Sequence, residues 1–299
     1  MVDILMIEHT GTIPTTRNDI LRVYPQLRSR LNPDIKFAIR RLQAKKRAFP
    51  NVFLIGVQKC GTTSLQKYLS EHPSIIAPYR KEMKYFDLFN FKPMRWYLAH
   101  FPMEKQLAGG KITLDATPDY IFYANTASQI KSNMPDARFL VILRDPVDRA
   151  FSHYLYSKRR GYEDLSFMDA LEKEDTRIAQ ERDIIRKNGR GIAWRYRENS
   201  YKGRGLYFKQ LNHWFRVFSK DQFLIIDSDK LKNDRQKTFL EIVSFLKVTP
   251  YQLKDSKEYN KAPGVDVHMG KTEEFYLREF YREENKRLFE LLGRKFNWK

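Results

Sequence analysis

The chain has 299 residues, of which 42% are hydrophobic and 14% aromatic, and this composition excludes a disordered or fibrous protein. Its 55 lysine and arginine residues outnumber the 36 acidic ones, and the net charge of +19 favours polyanionic ligands. The single cysteine, Cys60, excludes an internal disulfide, and no stretch of about 20 apolar residues predicts a membrane span.

Residues 1–50 are polar and mixed in composition, with weak helical spacing of the apolar side chains over residues 35–42. We predict that residues 1–50 form an N-terminal extension that packs on the active-site side or lies over it. Residues 51–299 then form a single domain, because one large α/β domain of this size is common.

The stretch 51–64, NVFLIGVQKCGTTS, predicts a buried strand over residues 52–57, a turn framed by Gly56 and Gly61, and a helix over residues 62–71. A strand that leads through such a turn into a helix directs backbone N–H groups at one point, where an anion is stabilised. The stretch therefore predicts a site for a phosphate-like group.

This turn differs from the loop that binds nucleoside triphosphates. In that loop a lysine follows the second glycine, whereas here Thr62 holds that position and Lys59 lies inside the turn. A lysine inside the turn lies beside the oxygens nearest to it, which suits an anhydride shorter than a triphosphate. Two glycines at this spacing also occur by chance, so the interpretation depends on a second phosphate site.

A second site is predicted within residues 138–154, RFLVILRDPVDRAFSHY. A strand over residues 139–143 ends at Arg144, and Asp145 with Pro146 begins a helix over residues 146–158. A guanidinium at the strand end and the hydroxyl of Ser152, off the apolar helix face, can bind a phosphate together. The equally good alternative is that Arg144 pairs with a neighbouring aspartate and Ser152 is solvated.

Strands and helices alternate along the remaining chain. Further strands are predicted at 111–114 and 223–226, and further helices at 124–133, 207–218, 239–246 and 277–292. Residues 163–200 are charged, and we predict that they form a helical insertion that serves as a lid or contacts the acceptor substrate. This alternation predicts an α/β fold with a central parallel sheet and helices on both faces. Both anion motifs follow the carboxyl ends of strands, where such sheets bind ligands, so they can face one nucleotide.

Residues 56–64 resemble the 5′-phosphosulfate loop of sulfotransferases that use 3′-phosphoadenosine 5′-phosphosulfate (PAPS), and residues 144–154 resemble their 3′-phosphate motif. The chain is most similar to the carbohydrate branch, the heparan sulfate 3-O-sulfotransferases and the heparan N-sulfotransferases. Three other stretches carry this resemblance, which runs from about residue 50 to the C-terminus: KEMKYFD at 81–87, residues 205–214, and residues 280–298. It implies a P-loop-like sheet.

The resemblance implies a role for each matching residue. Lys59 contacts the oxygen that bridges phosphate and sulfate, and Glu82 is the general base that takes the acceptor's proton. The residues implied to bind PAPS, or its product 3′-phosphoadenosine 5′-phosphate (PAP), are Lys59, Cys60, Gly61, Thr62, Thr63, Ser64, Arg144, Ser152, Gly270 and Lys271. Residues 260–271 form the loop that closes over this cosubstrate. The reaction requires no metal, and the histidines and the cysteine show no metal-ligand spacing.

The acceptor is left open between two classes. Lys84, Lys202, Arg204 and His268 are the candidate acceptor contacts, and an anionic acceptor fits the positive charge. Where the heparan enzymes have glutamate-lysine-threonine-proline this chain has DATP, so Ala116 replaces a lysine on the acceptor side, and the C-terminal cysteine pair of the family is absent. The acceptor is therefore a hydroxyl or amine of a carbohydrate, or of a small molecule such as a secondary metabolite.

Two other functions are weighed against this one. A P-loop kinase or NTPase requires Mg²⁺ and a lysine directly after Gly61, which this chain lacks. A nucleic-acid-binding protein requires basic and aromatic residues interleaved on one face, and no such pattern is present, so we predict no nucleic-acid partner. Animal members of the family are Golgi membrane proteins. Without a signal-like apolar segment we predict a cytoplasmic protein, or a Golgi lumenal one if the chain is a piece of a longer protein.

Overall fold

A computed structural model describes residues 35–188, 193–254 and 268–298. Within these ranges the sheet has five strands, all parallel, in the order β2-β3-β1-β4-β5. The strands are β1 (Val52–Gly56), β2 (Ile75–Ile76), β3 (Ile112–Ala116), β4 (Arg138–Leu143) and β5 (Phe223–Asp227). The predicted α/β fold, a single domain around a central parallel sheet with flanking helices, is confirmed.

Helices follow most of the strands. They are α1 (Ile35–Leu42), α2 (Thr62–Glu71), α3 (Met94–Leu98), α4 (Asn125–Asn133), α5 (Pro146–Arg159), α6 (Phe167–Glu172), α7 (Glu174–Asn188), α8 (Trp194–Glu198), α9 (Tyr207–Phe215), α10 (Ser228–Asn233), α11 (Arg235–Phe245) and α12 (Lys271–Leu292). Among the helices of the described ranges, none is both long enough and apolar enough to cross a bilayer.

The central strands are apolar along their whole length because both of their faces are covered. Every residue of β1 is buried, and β4 is buried from its second residue onward. Leu54 of β1 lies opposite Ala116 of β3 and opposite Leu140 of β4. The carboxyl ends of these three neighbouring strands therefore lie at one edge of the sheet, which we call the carboxyl edge.

Residues 35–50, part of the predicted N-terminal extension, contact the main core. Phe37 is buried, and its ring centroid lies 4.6 Å from that of His100 and 6.2 Å from that of Trp96. Arg40 donates hydrogen bonds to the carbonyls of Ala99 and Phe101, each at 2.7 Å. Residues 1–34 lie outside the described residues, and the domain boundary at residue 50 stays a prediction.

The charged stretch 163–200 contains three helices, α6, α7 and α8, which confirms that it is helical as predicted. Residues 189–192 within it lie outside the described residues. Three elements of the described ranges were not predicted: β2, α3 and α10. β2 has two residues, α3 has five and α10 has six, and all three are too short to show a periodic pattern.

Candidate active site

The turn between β1 and α2 is held tightly against the sheet. A Cβ atom at Gly56 would lie 2.6 Å from Cγ2 of Ile121, so only glycine fits there. Gly61 precedes α2 with a φ of +97°, a conformation that glycine adopts without strain. Because the first N–H groups of a helix have no partner within the helix, α2 presents donors to this turn at Thr62, Thr63 and Ser64.

Lys59, within this turn, is partly removed from water and surrounded by positive charge. Its Nζ atom lies 4.6 Å from the ring centroid of Tyr156 on α5. Burial, followed by the nearby charges of Arg159, Arg149 and Arg144, lowers its pKa to about 8. Among the described residues no carboxylate lies within ion-pair distance of Lys59. An anion bound here would relieve this repulsion.

Arg144 follows β4 at the same edge. Its Nη2 atom lies 3.6 Å from Oδ2 of Asp148, one turn into α5, and its side chain is 34% exposed. One of the alternative pairings left open above is therefore present, but it is long and lies at the surface. Asp148, Ser152 and Tyr156 are spaced four residues apart on α5, so they share one face. Arg144 lies at one end of that face and Lys59 covers the other.

Tyr207, the first residue of α9, contacts both of the predicted anion sites. Its hydroxyl donates a hydrogen bond to the carbonyl of Arg144 at 3.0 Å and lies 3.9 Å from Sγ of Cys60. Burial raises the pKa of the Cys60 thiol to about 11, so the thiol is protonated at neutral pH and is no nucleophile. The sequence indicated Tyr207 as a core residue of the family match, and its connecting role was missed.

Arg149 on α5 was also missed. It is fully buried and donates a hydrogen bond to the carbonyl of Tyr201, while its Nε and Nη1 atoms have no hydrogen-bond partner in the described part of the chain. Its charge lowers the pKa of Lys59, after burial and Arg159. It therefore adds positive potential beside the turn. Its position lies away from the apolar stripe of α5, and no periodic signal distinguishes it from a solvated residue.

Gly270 and Lys271 lie at the start of α12, beside the first half of α5. Met269 packs in the cluster that contains Phe151, and Arg278 lies 3.3 Å from Oδ2 of Asp145, the residue that caps α5. The structure thus brings the start of α12 to the Arg144 and Ser152 side of the site. Of the predicted closing loop 260–271, residues 260–267 lie outside the described residues. His268 is exposed.

Glu82 lies in the loop between β2 and α3, and this loop is attached to the end of β3. The backbone N–H of Lys84 donates to Oγ1 of Thr117 at 3.4 Å, and that of Tyr85 donates to the hydroxyl of Tyr120 at 3.0 Å. The Glu82 side chain is 39% exposed, and Lys84, whose Nζ lies 3.1 Å from Oε2, lowers its pKa. Glu82 is therefore an accessible, ionised carboxylate at neutral pH.

Three of the candidate acceptor contacts are engaged within the protein. Lys84 is 9% exposed and lies between Glu82 and Asp119, and Arg204 is 1% exposed with its Nη1 atom 2.9 Å from Asp119. Lys202 is buried, and its Nζ donates to the hydroxyl of Tyr276 at 3.3 Å. In this structure the three side chains are not presented to an acceptor, because burial and internal partners hold them.

The carboxyl edge therefore brings together a carboxylate, a lysine and an arginine near the ends of three neighbouring strands, with Glu82 beside β3, Lys59 after β1 and Arg144 after β4. The family described as Sulfotransferase domain matches residues 49–260. The chain belongs to this sulfotransferase family. It is accordingly a sulfotransferase, and its resemblance to the carbohydrate branch is confirmed.

Several known sulfotransferases are similar to this one over most of its length. Membrane-associated sulfotransferase kil1 of Dictyostelium discoideum is 25% identical, over 86% of this chain and 68% of that protein. Human heparan sulfate glucosamine 3-O-sulfotransferase 6 is 28% identical, over 85% of this chain and 75% of that protein. The crystal structure of a sulfotransferase from Alicyclobacillus acidocaldarius superposes with a TM-score of 0.63 at 30% identity, over 83% of this chain and 98% of that one.

Proposed function

We propose that this sulfotransferase transfers a sulfuryl group from PAPS to a hydroxyl or amine of a carbohydrate. The observation that carries the proposal is the placement of an ionised Glu82, a desolvated Lys59 and a partly exposed Arg144 at the ends of three adjacent strands. PAPS supplies an activated sulfuryl group on its 5′-phosphate and a second anion at its 3′-phosphate, so two separate cationic sites are required.

The two cationic sites lie near opposite ends of α5, one for each anion of PAPS. Lys59 with the N–H groups and hydroxyls at the start of α2 would bind the 5′-phosphosulfate. Arg144 and Ser152 would bind the 3′-phosphate, with Gly270 and Lys271 beside them. Cys60 and Gly61 contribute backbone only, because the thiol is buried and the glycine has no side chain. Tyr207 connects the two sites, because its hydroxyl contacts the carbonyl of Arg144 in one and Sγ of Cys60 in the other.

Glu82 and Lys59 have separate roles in the proposed reaction. Glu82 takes the proton of the acceptor hydroxyl or amine while the acceptor atom forms its bond to sulfur. Lys59 stabilises the negative charge that develops on the phosphate oxygen as the sulfur–oxygen bond breaks. In the described ranges no group of three or more His, Cys, Asp or Glu side chains is arranged around a common metal position.

A carbohydrate acceptor is supported by the relatives, several of which are named as heparan sulfate sulfotransferases. Arg80 and Lys81 directly precede Glu82 in the chain, and their positive charge favours an acceptor with anionic groups. Ala116, where the heparan enzymes have a lysine, is a buried residue at the end of β3. This difference keeps a small hydroxylated or amino-bearing molecule as the alternative acceptor.

Donor binding is tested first, by thermal unfolding with PAP, with ATP and Mg²⁺, and with an oligonucleotide. We expect PAP to raise the unfolding temperature most, because a ligand at a hundred times its Kd adds about 2.7 kcal/mol to the free energy of unfolding. Adenosine 5′-phosphate serves as the control that lacks the 3′-phosphate. A larger effect of ATP with Mg²⁺, or of the oligonucleotide, would overturn the proposal in favour of an NTPase or a nucleic-acid-binding protein.

The acceptor is tested with sulfur-labelled PAPS against a panel of heparan sulfate, its desulfated forms and hydroxylated small molecules. We expect transfer to a glycan and no transfer with Glu82→Gln, which should keep the PAP-induced shift because Glu82 is not a donor contact. Glu104→Gln, at an exposed position, is the matched control and should transfer normally. Transfer only to small molecules would change the acceptor class, and an active Glu82→Gln enzyme would remove Glu82 as the base.

A further inference from the structure

Asp119 is the centre of a buried group of charges beside Glu82. Its Oδ2 atom accepts hydrogen bonds from Nζ of Lys84 at 2.9 Å and from Arg197, and its Oδ1 atom accepts one from Arg204 at 2.9 Å. Burial alone would raise the pKa of Asp119, but Arg197, Lys84 and Arg204 hold it well below its usual value. We call these four residues, together with Glu82, the Asp119 network.

Within this network Lys84 lies between two carboxylates. Its Nζ atom is 2.9 Å from Oδ2 of Asp119 on the buried side and 3.1 Å from Oε2 of Glu82 on the accessible side. An ammonium group has three N–H donors, so it can serve both carboxylates at once. Asp119 therefore determines where the ammonium lies, and the ammonium in turn determines where Oε2 of Glu82 lies.

The other two cations attach Asp119 to a different part of the chain. Arg197 of α8 also lies 3.6 Å from Asp87 and 3.2 Å from Glu198. Arg204, in the turn Gly203–Gly205, has its guanidinium carbon 4.4 Å from the ring centroid of Phe122. Asp119 thus joins the loop that carries Glu82 to the segment 194–205. Arg197 shares Oδ2 of Asp119 with Lys84, and Arg204 bonds to Oδ1, so both carboxylate oxygens of Asp119 are held in place.

We propose that Asp119 is a positioning residue for Glu82, acting through Lys84. This inference rests on the proposed function of Glu82 as the base. With Asp119 present, Asp119 and Glu82 share the ammonium of Lys84, so a carboxylate oxygen of Glu82 can receive the acceptor's proton. Without Asp119, the ammonium moves fully onto Glu82 and occupies the oxygen that has to receive that proton. Donor binding does not involve this pair and should not change.

A purely structural role makes a different prediction. If Asp119 served only as the counter-ion of Arg197 and Arg204, its loss would act independently of Lys84. The two roles are separated by a double-mutant cycle with Asp119→Asn, Lys84→Met and the double variant. For each enzyme, kcat is measured with labelled PAPS and the panel acceptor that the wild type uses fastest, and the Kd for PAP is measured separately.

We expect each single variant to lower kcat at least about tenfold and the double variant to be no slower than Lys84→Met alone, with the Kd for PAP within about twofold of wild type throughout. Losses that multiply in the double variant would overturn the inference, as would a parallel loss of PAP affinity. The proposed function fails separately, if Glu82→Gln stays active or if PAP does not bind to the wild type.

Asp119→Glu provides a second route if Asp119→Asn does not fold. It keeps the charge for Arg197 and Arg204 but moves the carboxylate by one methylene, so Lys84 is displaced. We expect a lowered kcat with the PAP-induced shift in unfolding temperature preserved. A wild-type kcat in this folded variant would show that the position of Lys84 does not matter, and would overturn the inference.

Discussion

The cations on the two sides of the carboxyl edge have different partners. On the side of the proposed donor site, which we call the donor side, Lys59 contacts the ring of Tyr156, and Arg144 has one long pairing with Asp148 at the surface. In the Asp119 network, Lys84, Arg197 and Arg204 share the buried carboxylate of Asp119. Lys84 also pairs with Glu82, and Arg197 also pairs with Asp87 and Glu198. The first group has positive charge left for a ligand, and the second has its charge balanced within the protein.

This difference shows what each group of charges can do. A desolvated cation without a close counter-ion raises the free energy of the empty protein, and binding of an anion lowers that free energy again. A buried cation that is paired contributes to a defined arrangement, and removing one partner leaves an uncompensated charge. We therefore expect substitutions on the donor side to affect binding and rate, and substitutions in the network to affect folding and the position of Glu82.

The largest expected effect is on stability. Arg204→Met removes one buried partner of Asp119, and breaking a buried pair in this way costs about 3 kcal/mol or more of the free energy of unfolding. Urea unfolding measures this loss, with Arg282→Met as a control at an exposed position. An unchanged urea midpoint would show that Lys84 and Arg197 compensate the charge of Asp119 fully. The expectation that substitutions in the network lower stability more than those on the donor side would then be weakened.

The second effect is on the rate. Lys59→Met should lower the rate of transfer by about 10²- to 10³-fold, because it removes a preorganised charge from the leaving phosphate. The stability of the empty protein should be unchanged or higher, since a desolvated cation is removed. Lys232→Met, at an exposed position on α10, is the matched control. A near-wild-type rate would exclude Lys59 from the mechanism.

The third effect is on selectivity for the donor. Arg144→Gln should reduce the preference for PAP over adenosine 5′-phosphate by about 10- to 100-fold, since hydrogen bonds to a charged group contribute about 1.5–3 kcal/mol. Calorimetric titration of both nucleotides gives the ratio, and Arg216→Gln is an exposed control. If the preference persists, the 3′-phosphate binds somewhere other than the end of β4.

The smallest expected effect is a pH dependence that originates at Lys59. With a pKa of about 8 in the empty enzyme, Lys59 loses its proton as the pH rises through this value, and only its charged form attracts an anion. PAP affinity should therefore fall about tenfold between pH 7 and pH 9. Lys59→Met should make this part of the profile flat. A wild-type affinity that is constant up to pH 9 would contradict the lowered pKa.

The helices that frame the proposed donor site could be predicted from the sequence because their signals are local. The helix over 62–71 was predicted with the bounds that the structure has, since the turn before it and its apolar spacing lie within twenty residues. Asp145 and Pro146 likewise predicted the start of α5, and the side chain of Asp145 does accept a hydrogen bond from the N–H of Val147 at 2.9 Å.

The amino-acid sequence by itself thus determined most of the alternating elements and the match to the sulfotransferase family, and it predicted two anion motifs at strand ends, because short-range spacing and turn chemistry carry all of these. Only the tertiary structure decided the partners of the charges. Asp119 contacts Arg197 and Arg204, which follow it by 78 and 85 residues, and Tyr207 contacts Arg144 across 63. Such pairs depend on which strands are neighbours and which side chains are buried together, and no spacing within the sequence encodes that.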